Sequence, residues 1–532
     1  LPQSHLLSIF IAFLAVVGMG GGGAAALVTW NALAIPIVGA ISPYPTVVTD
    51  DQIVDPGDSL RFGAAIAALD STTGWVAVGN NQFDGNGIRR GAVTLLDLEC
   101  AACVEVTIGD NQLPLANFTQ FGSAVAMVPD LGGVTLAVGA PGCELLVCGL
   151  DAIPARAGAV YLLRLASAAD CQADPTGCLL SWVVIEPMQG GFNPSPADPD
   201  THQHFGQAIA ALPGFHSQGG AGLALAVGAG TNYRDDIPGA GRARIQGTVF
   251  LLFVDTGGWP ASVNVTSHRR IEPGKGGFEQ TIPTGGVFAT SLAALTDLNG
   301  DGTAELAVGG SMSSDRSGAA WILFLEADGT VSGSLDLGAS AALQLSSRDK
   351  FGYSLAMLGD MDGDGMPELA VGAQGSGGSV VTGNTESDGA VYILLLGNGG
   401  GAVDVKDWTV WPGTTGSASE YGAAVAALSG QRLLVGAPAA SAVHDVTYST
   451  DPKNCSDYIA EGLSCAGLGE LCCEVGTTCV GLCPIAGTAP DCLPAGTLEW
   501  QCLPPPPPPP SASPSPPPPS ASPSPPPPSM SP

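Results

Sequence analysis

Residues 351–396 begin with FGYSLAML, pass through LAVGAQG at 369–375 and close on GAVYILLL at 389–396. Each piece is short, apolar and rich in small or β-branched residues, and each carries glycine near an end. Short strands joined by tight turns need that pattern. Phe62-Gly63 opens the same three-part unit with WVAVGN at 75–80 and GAVTLLDL at 91–98, and Phe121-Gly122 opens another with LAVGAPG at 136–142 and GAVYLLRL at 158–165. A third runs from Phe205-Gly206 through LAVGAG at 225–230 to GTVFLLFV at 247–254. The fourth opens on Phe288-Ala289, with LAVGG at 306–310 and GAAWILFL at 318–325. A sixth has Tyr421-Gly422 and LLVGAPA at 433–439, with no clear third strand after it.

The openings are 59, 84, 83, 63 and 70 residues apart. A unit of this size holds three or four short strands, too few to bury their own faces. Arranged as blades around an axis, the units bury one another. The alternating small residues of AAIAAL, SAVAMV and YSLAML suit crowded inner strands beside a central channel, and the bulkier third strands pack between sheets. An array of β-sandwiches would lack these marks at fixed places.

The composition agrees. The chain has 532 residues with 75 glycines, and 12% of its residues are charged, so a helical bundle is excluded. Eighteen of the 44 prolines fall between Pro504 and Pro532, which confines the proline excess to one tail. Acidic residues outnumber basic ones 48 to 17, for a formal charge of -31, which excludes a phosphate-tracking surface and hence nucleic acid as a partner.

The repeated units resemble FG-GAP repeats, the blades of the β-propeller of integrin α chains and related extracellular proteins. The resemblance implies an all-β propeller over residues 61–450. Integrin-like propellers have seven blades and six openings are visible here. Residues 27–60 therefore build either a degenerate blade or an outer strand that closes a six-bladed ring with the incomplete last unit.

Between the first and second strands of the fourth and fifth units stand DLNGDGTAEL, from Asp297 to Leu306, and DMDGDGMPEL, from Asp360 to Leu369. Side-chain oxygens at positions 1, 3 and 5 converge on a hard cation when glycine at position 6 permits a sharp turn. The expected ligands are Asp297, Asn299 and Asp301 with the Thr303 carbonyl and Glu305, and Asp360, Asp362 and Asp364 with the Met366 carbonyl and Glu368. The expected ion is calcium, since three or four carboxylates so close together repel unless neutralised. The second loop has one more carboxylate and is expected to bind more tightly. An EF-hand is excluded because position 12 is Val308 or Val371 instead of a bidentate glutamate. Integrin-type loops resemble these closely but commonly end in aspartate, where this chain has Glu305 and Glu368.

Leu6–Val17 is apolar except for Ser8 and dissolves into Gly20–Gly23 and Ala24–Ala26, so residues 1–26 read as a secretory signal. Fourteen cysteines at short spacings fit export, with Cys100–Cys103, Cys143–Cys148 and Cys171–Cys178 as expected pairs. Asn117, Asn264 and Asn454 are glycosylation acceptors by sequence. Eight cysteines over 455–502 imply a disulfide-stapled module, and SASPSPPPP repeats over 503–532 imply a stiff polyproline II stalk. The stalk resembles the serine-proline glycomodules of plant and green-algal wall glycoproteins.

His202 and His204 beside Asp198 and Asp200 could hold zinc but read first as a solvated loop. No nucleophile with a placed base stands out, so the expected protein is not an enzyme. The leading expectation is a secreted or surface-displayed adhesion or matrix and cell-wall binding platform, with an extracellular protein or glycan as ligand. The alternatives are a carbohydrate-binding propeller with pockets between blades lined by Trp75, Tyr233 or Trp321, and an accessory region of a larger hydrolase.

Overall fold

The computed structural model describes residues 46–449, apart from stretches at 83–89, 143–157, 195–203, 213–221, 231–246 and 376–388 and shorter gaps between them. The leader-like segment, the cysteine-rich segment, the proline tail, the pairs Cys100–Cys103 and Cys143–Cys148, and Asn117 and Asn454 lie outside the described residues.

The described residues form six four-stranded antiparallel sheets. Strand β1 (Thr46–Val54) stands apart in sequence from its partners. The first blade is β2 (Ala65–Asp70), β3 (Trp75–Asn80), β4 (Ala92–Asp97) and β5 (Val106–Ile108). The second is β6 (Ala124–Met127), β7 (Val134–Ala140), β8 (Ala159–Leu165) and β9 (Leu179–Ile185), with a short helix α1 (Ala168–Ala173) between its last two strands. The third is β10 (Phe205–Leu212), β11 (Gly222–Ala229), β12 (Thr248–Asp255) and β13 (Asn264–Ile271). The fourth is β14 (Ser291–Ala294), β15 (Leu306–Gly310), β16 (Ala319–Leu325) and β17 (Val331–Asp336). The fifth is β18 (Phe351–Met357), β19 (Leu369–Ala373), β20 (Ala390–Asn398) and β21 (Val403–Pro412). In the fifth blade the register runs Ser354↔Gly372, Gly372↔Val391 and Val391↔Trp411 from the inner strand outward.

The last blade settles the blade count at six. It consists of β22 (Ala424–Leu428), β23 (Arg432–Ala437) and β24 (Ala442–Ser449), and β1 adds its outermost strand by pairing Thr46 with Ser449 and Val54 with Ala442. The third strand missing from the sixth unit by inspection is therefore AVHDVTYS at 442–449. In its sequence, Ser441 at φ 52 takes the place of the left-handed glycine that precedes the third strand elsewhere, as Gly389 does at φ 86. His444 likewise occupies the aromatic position, packing edge-on against Tyr421 at 5.1 Å as Tyr392 packs against Phe351 at 5.3 Å.

The glycine marks have a steric cause. Gly79 of the first blade lies against the opening Gly122 of the second, so closely that a Cβ on Gly79 would stand 2.1 Å from the Gly122 carbonyl oxygen. At the ring's closing seam a Cβ on Gly436 would meet the Gly63 oxygen at 2.1 Å. The two halves of the motif thus face each other across successive blades, and side chains there would pry the blades apart. In the fourth blade Ala289, at φ 64, accepts the same left-handed turn.

Six apolar layers fill the spaces between blades. One joins Phe121, Tyr161 and Leu163 of the second blade to Trp75, Val93 and Leu95 of the first. The closing one joins Phe62, Val76 and Val78 of the first to Leu434 and Val443 of the last. The opening aromatics are buried, with Phe121, Phe205, Phe288 and Phe351 each 0% exposed. Burial of one such side chain contributes about 2–3 kcal/mol. Trp75 and Trp321 are core residues at 3% and 4% exposure, so they line no inter-blade pocket, and Tyr233 lies outside the described residues.

Candidate metal centres

Both acidic loops join an inner strand to the second strand of a blade, with strands on each side and no helix. The backbone N–H of Leu295 donates to the Glu305 carbonyl at 2.8 Å, and that of Leu358 donates to the Glu368 carbonyl at 2.7 Å, closing each hairpin below its loop. Within the loops, backbone N–H groups fold toward the first aspartate. Gly300 and Gly302 donate to the two carboxylate oxygens of Asp297 at 2.7 and 2.8 Å, and Gly363 and Gly365 donate to those of Asp360 at 2.7 and 2.9 Å. Gly302 at φ 88 and Gly365 at φ 90 make the turn at position 6, where a side chain would be strained.

The turns gather the carboxylates. One oxygen each from Asp360, Asp362, Asp364 and Glu368 lie within 4.8 Å of one another, as do oxygens from Asp297, Asp301 and Glu305. Asn299 is engaged inside its own loop, accepting from the Asp301 N–H at 2.8 Å and donating to the Asp301 carboxylate at 2.9 Å. Thr303 and Met366 take part through their N–H groups, which donate to Asp301 and Asp364 at 2.7 and 2.8 Å.

Glutamate at position 9 differs in kind from the exposed aspartates. Glu305 and Glu368 are both 0% exposed. One oxygen of each is committed to the fold: Glu305 Oε2 accepts from the Leu325 N–H at 2.9 Å, and Glu368 Oε2 from the Met361 N–H at 2.5 Å. The other oxygen, Oε1 in both cases, is buried with no hydrogen-bond partner. A buried unpaired carboxylate oxygen beside two or three further carboxylates is costly unless a cation or a proton neutralises it. Burial, then the charges of Asp301 and Asp297, pushes Glu305 up to about 7. Burial, then the charges of Asp362, Asp360 and Asp364, pushes Glu368 up to about 8. The donor set is all oxygen, which suits a hard divalent ion, and the orphaned Oε1 atoms point to a ligand at each loop.

Of the other sequence candidates, His204 lines a cavity on the propeller axis, while His202, Asp198 and Asp200 lie outside the described residues. Cys171 and Cys178 form a disulfide that fastens α1 to the start of β9. The axial cavity, about 340 Å³, was not foreseen as a site, although the small residues of the inner strands had marked the channel.

The FG-GAP repeat family model matches residues 288–323 and 351–394, the two units that carry the acidic loops. Integrin alpha-3 of Cricetulus griseus is 32% identical over 167 residues, covering 31% of this chain and 13% of that protein. Integrin alpha-7 of Rattus norvegicus is 33% identical over 160 residues, 30% of this chain and 12% of its own length. Integrin alpha pat-2 of Caenorhabditis elegans is 33% identical over 119 residues, 20% and 10% respectively. The matches thus span about an eighth or less of these relatives. The chain is an integrin-like β-propeller of six blades, of which the fourth and fifth carry FG-GAP repeats.

Proposed function

We propose that this protein is an extracellular adhesion platform whose propeller is stabilised by two calcium ions. The observation that carries the reading is the pair of buried, unpartnered glutamate oxygens, each closing a ring of carboxylates in a repeat of integrin type. Calcium at the first loop would be held by Asp297, Asp301 and Glu305, with Asn299 and the Thr303 carbonyl completing the shell. At the second it would be held by Asp360, Asp362, Asp364 and Glu368, with the Met366 carbonyl. Millimolar extracellular calcium, about 0.1–1 mM, is the range in which such modules work.

Export is supported by the Cys171–Cys178 disulfide, which needs an oxidising compartment, and by the signal-like start of the sequence. Asn264 is exposed at the first position of the outer strand β13, as a glycan acceptor must be. The serine-proline tail supports association with a wall or matrix, and the ligand is an extracellular protein or glycan. The test is a pull-down of surface and wall components with the full chain in calcium and in chelator. Calcium-dependent retention of a defined component supports the reading, and equal retention in both conditions, or none, overturns it.

A further inference from the structure

We propose that the cavity on the propeller axis is a binding site for the end of a neutral saccharide. The cavity is built in three tiers by the inner strands of all six blades. Its floor is a ring of branched apolar side chains, Ile66, Val125, Ile209, Leu292, Leu355 and Val425, one from each blade and each 6–8% exposed. Above them stands a ring of alanine and serine, in which the hydroxyls of Ser291 and Ser354 already donate to the Gly352 and Gly422 carbonyls at 2.9 and 2.8 Å. The sixfold regularity ends at the mouth. There the first three blades and the fifth supply Arg61, Asn81, Gln120, His204, Gln207 and Tyr353.

The chemistry of this mouth selects among ligands. No carboxylate is among the lining residues and the Arg61 guanidinium is, so a cation is disfavoured. Arg61 is itself paired with Glu420 at 3.0 Å, and the chain as a whole carries a formal charge of -31, which disfavours a polyanion. What remains is a neutral group rich in both donors and acceptors. Amides at Asn81, Gln120 and Gln207 offer both, and the Ser123 hydroxyl, which donates to the Gln120 carbonyl at 2.8 Å, adds an acceptor. Asn81 Oδ1 is buried without a hydrogen-bond partner, a vacancy that a ligand hydroxyl satisfies. Tyr353 offers a ring and the floor offers apolar side chains for the C–H face of a pyranose. The volume, about 340 Å³, sits at the small end of ligand pockets, at roughly 300–1,000 Å³, and suits one or two sugar rings.

The assignment names a ligand class for the platform but uses neither acidic loop, so the two readings fail separately. The experiment is a printed array of neutral oligosaccharides probed with the full chain, followed by calorimetric titration of each hit with Gln207→Ala, Tyr353→Ala and Gln120→Ala. Gln120 is exposed at the lip, so its truncation leaves folding intact. The expected result is a retained neutral glycan whose affinity falls about tenfold or more in at least two of these variants. Trp182→Ser, on the outer strand β9, is expected to bind as wild type. An array with no neutral hit, or a hit whose affinity changes less than about twofold in all three lining variants, overturns the assignment. Binding that survives in chelator while the melt shifts sustains the saccharide site and separates it from the calcium reading.

Discussion

Glu368→Gln tests the electrostatics of the acidic loops most directly. Gln matches the protonated glutamate in shape, keeps an acceptor for the Met361 N–H and removes the charge that a cation needs. Without a cation the folded protein holds the Glu368 proton up to about 8, against an ordinary value of 4.5. The folded state therefore binds more protons than the unfolded one between those values. The associated stability is fully present below 4.5 and is lost as pH rises through about 8. At about 1.4 kcal/mol per pH unit the ceiling is about 5 kcal/mol. Water around the exposed Asp360, Asp362 and Asp364 screens the repulsion, and we expect about 2 kcal/mol. Unfolding entropy is about 2 cal/mol/K per residue, so a propeller of about 400 residues would melt about 2–3 °C lower at pH 8.5 than at pH 5 in chelator. Calorimetric scans of wild type should show that fall, and calcium should remove it. The variant should show a smaller fall across the same range in chelator, the remainder coming from Glu305, which burial pushes up to about 7 in the other loop, and it should gain less from calcium. A wild-type melt in chelator that does not change between pH 5 and pH 8.5, or a variant that responds to calcium as wild type does, would refute the reasoning.

Further predictions concern the ring itself. Gly436→Ala drives a methyl into the Gly63 carbonyl and should cost about 2–3 kcal/mol in urea unfolding, since a backbone atom cannot swing aside. Cys171→Ala with Cys178→Ala opens a loop of separation 7, and chain entropy gives about 2–3 kcal/mol, read as a lower melting temperature. Arg432 pairs through two nitrogens with the largely buried Asp445 in its own blade and with Glu99 in the first at 2.5 Å; Glu99 is 59% exposed, so most of the cost of Arg432→Ala, about 1–3 kcal/mol, should come from leaving Asp445 unpaired. Deleting residues 46–54 leaves β24 with an open edge and should shift the protein to larger species than the undeleted chain in size-exclusion chromatography.

Much of the fold was legible because its steric requirements fall on glycine. Gly79, Gly122 and most of their counterparts are places where one blade's backbone touches the next and a side chain would collide, with Ala289 the exception in the fourth blade. The acidic loops were legible for a similar reason, as their oxygens sit at fixed offsets around an obligatory turn. The third strand of the last blade was hidden because Ser441 can adopt the left-handed turn and His444 can fill the aromatic slot, so both marks vanish while the geometry persists. The closing strand was ambiguous because an outer strand makes few demands on sequence. The special status of Glu305 and Glu368 could not be read at all. Their burial depends on the neighbouring third strand in one case and on the loop's own backbone in the other. Trp75 and Trp321 could be read as pocket or core, with core favoured for Trp321 in its strand, because an aromatic in a strand looks alike whether its ring faces a groove or a core.

The pairing of Thr46 with Ser449 joins positions about 400 residues apart, the longest-range handshake in the ring. On a ribosome making about 5–20 residues per second, β1 would wait tens of seconds for its mate to emerge. Until then the five complete sheets have no lock, and a lone strand with unsatisfied amides sits at the growing end's far side. An edge left open for that long is the exposure from which aggregation during synthesis starts.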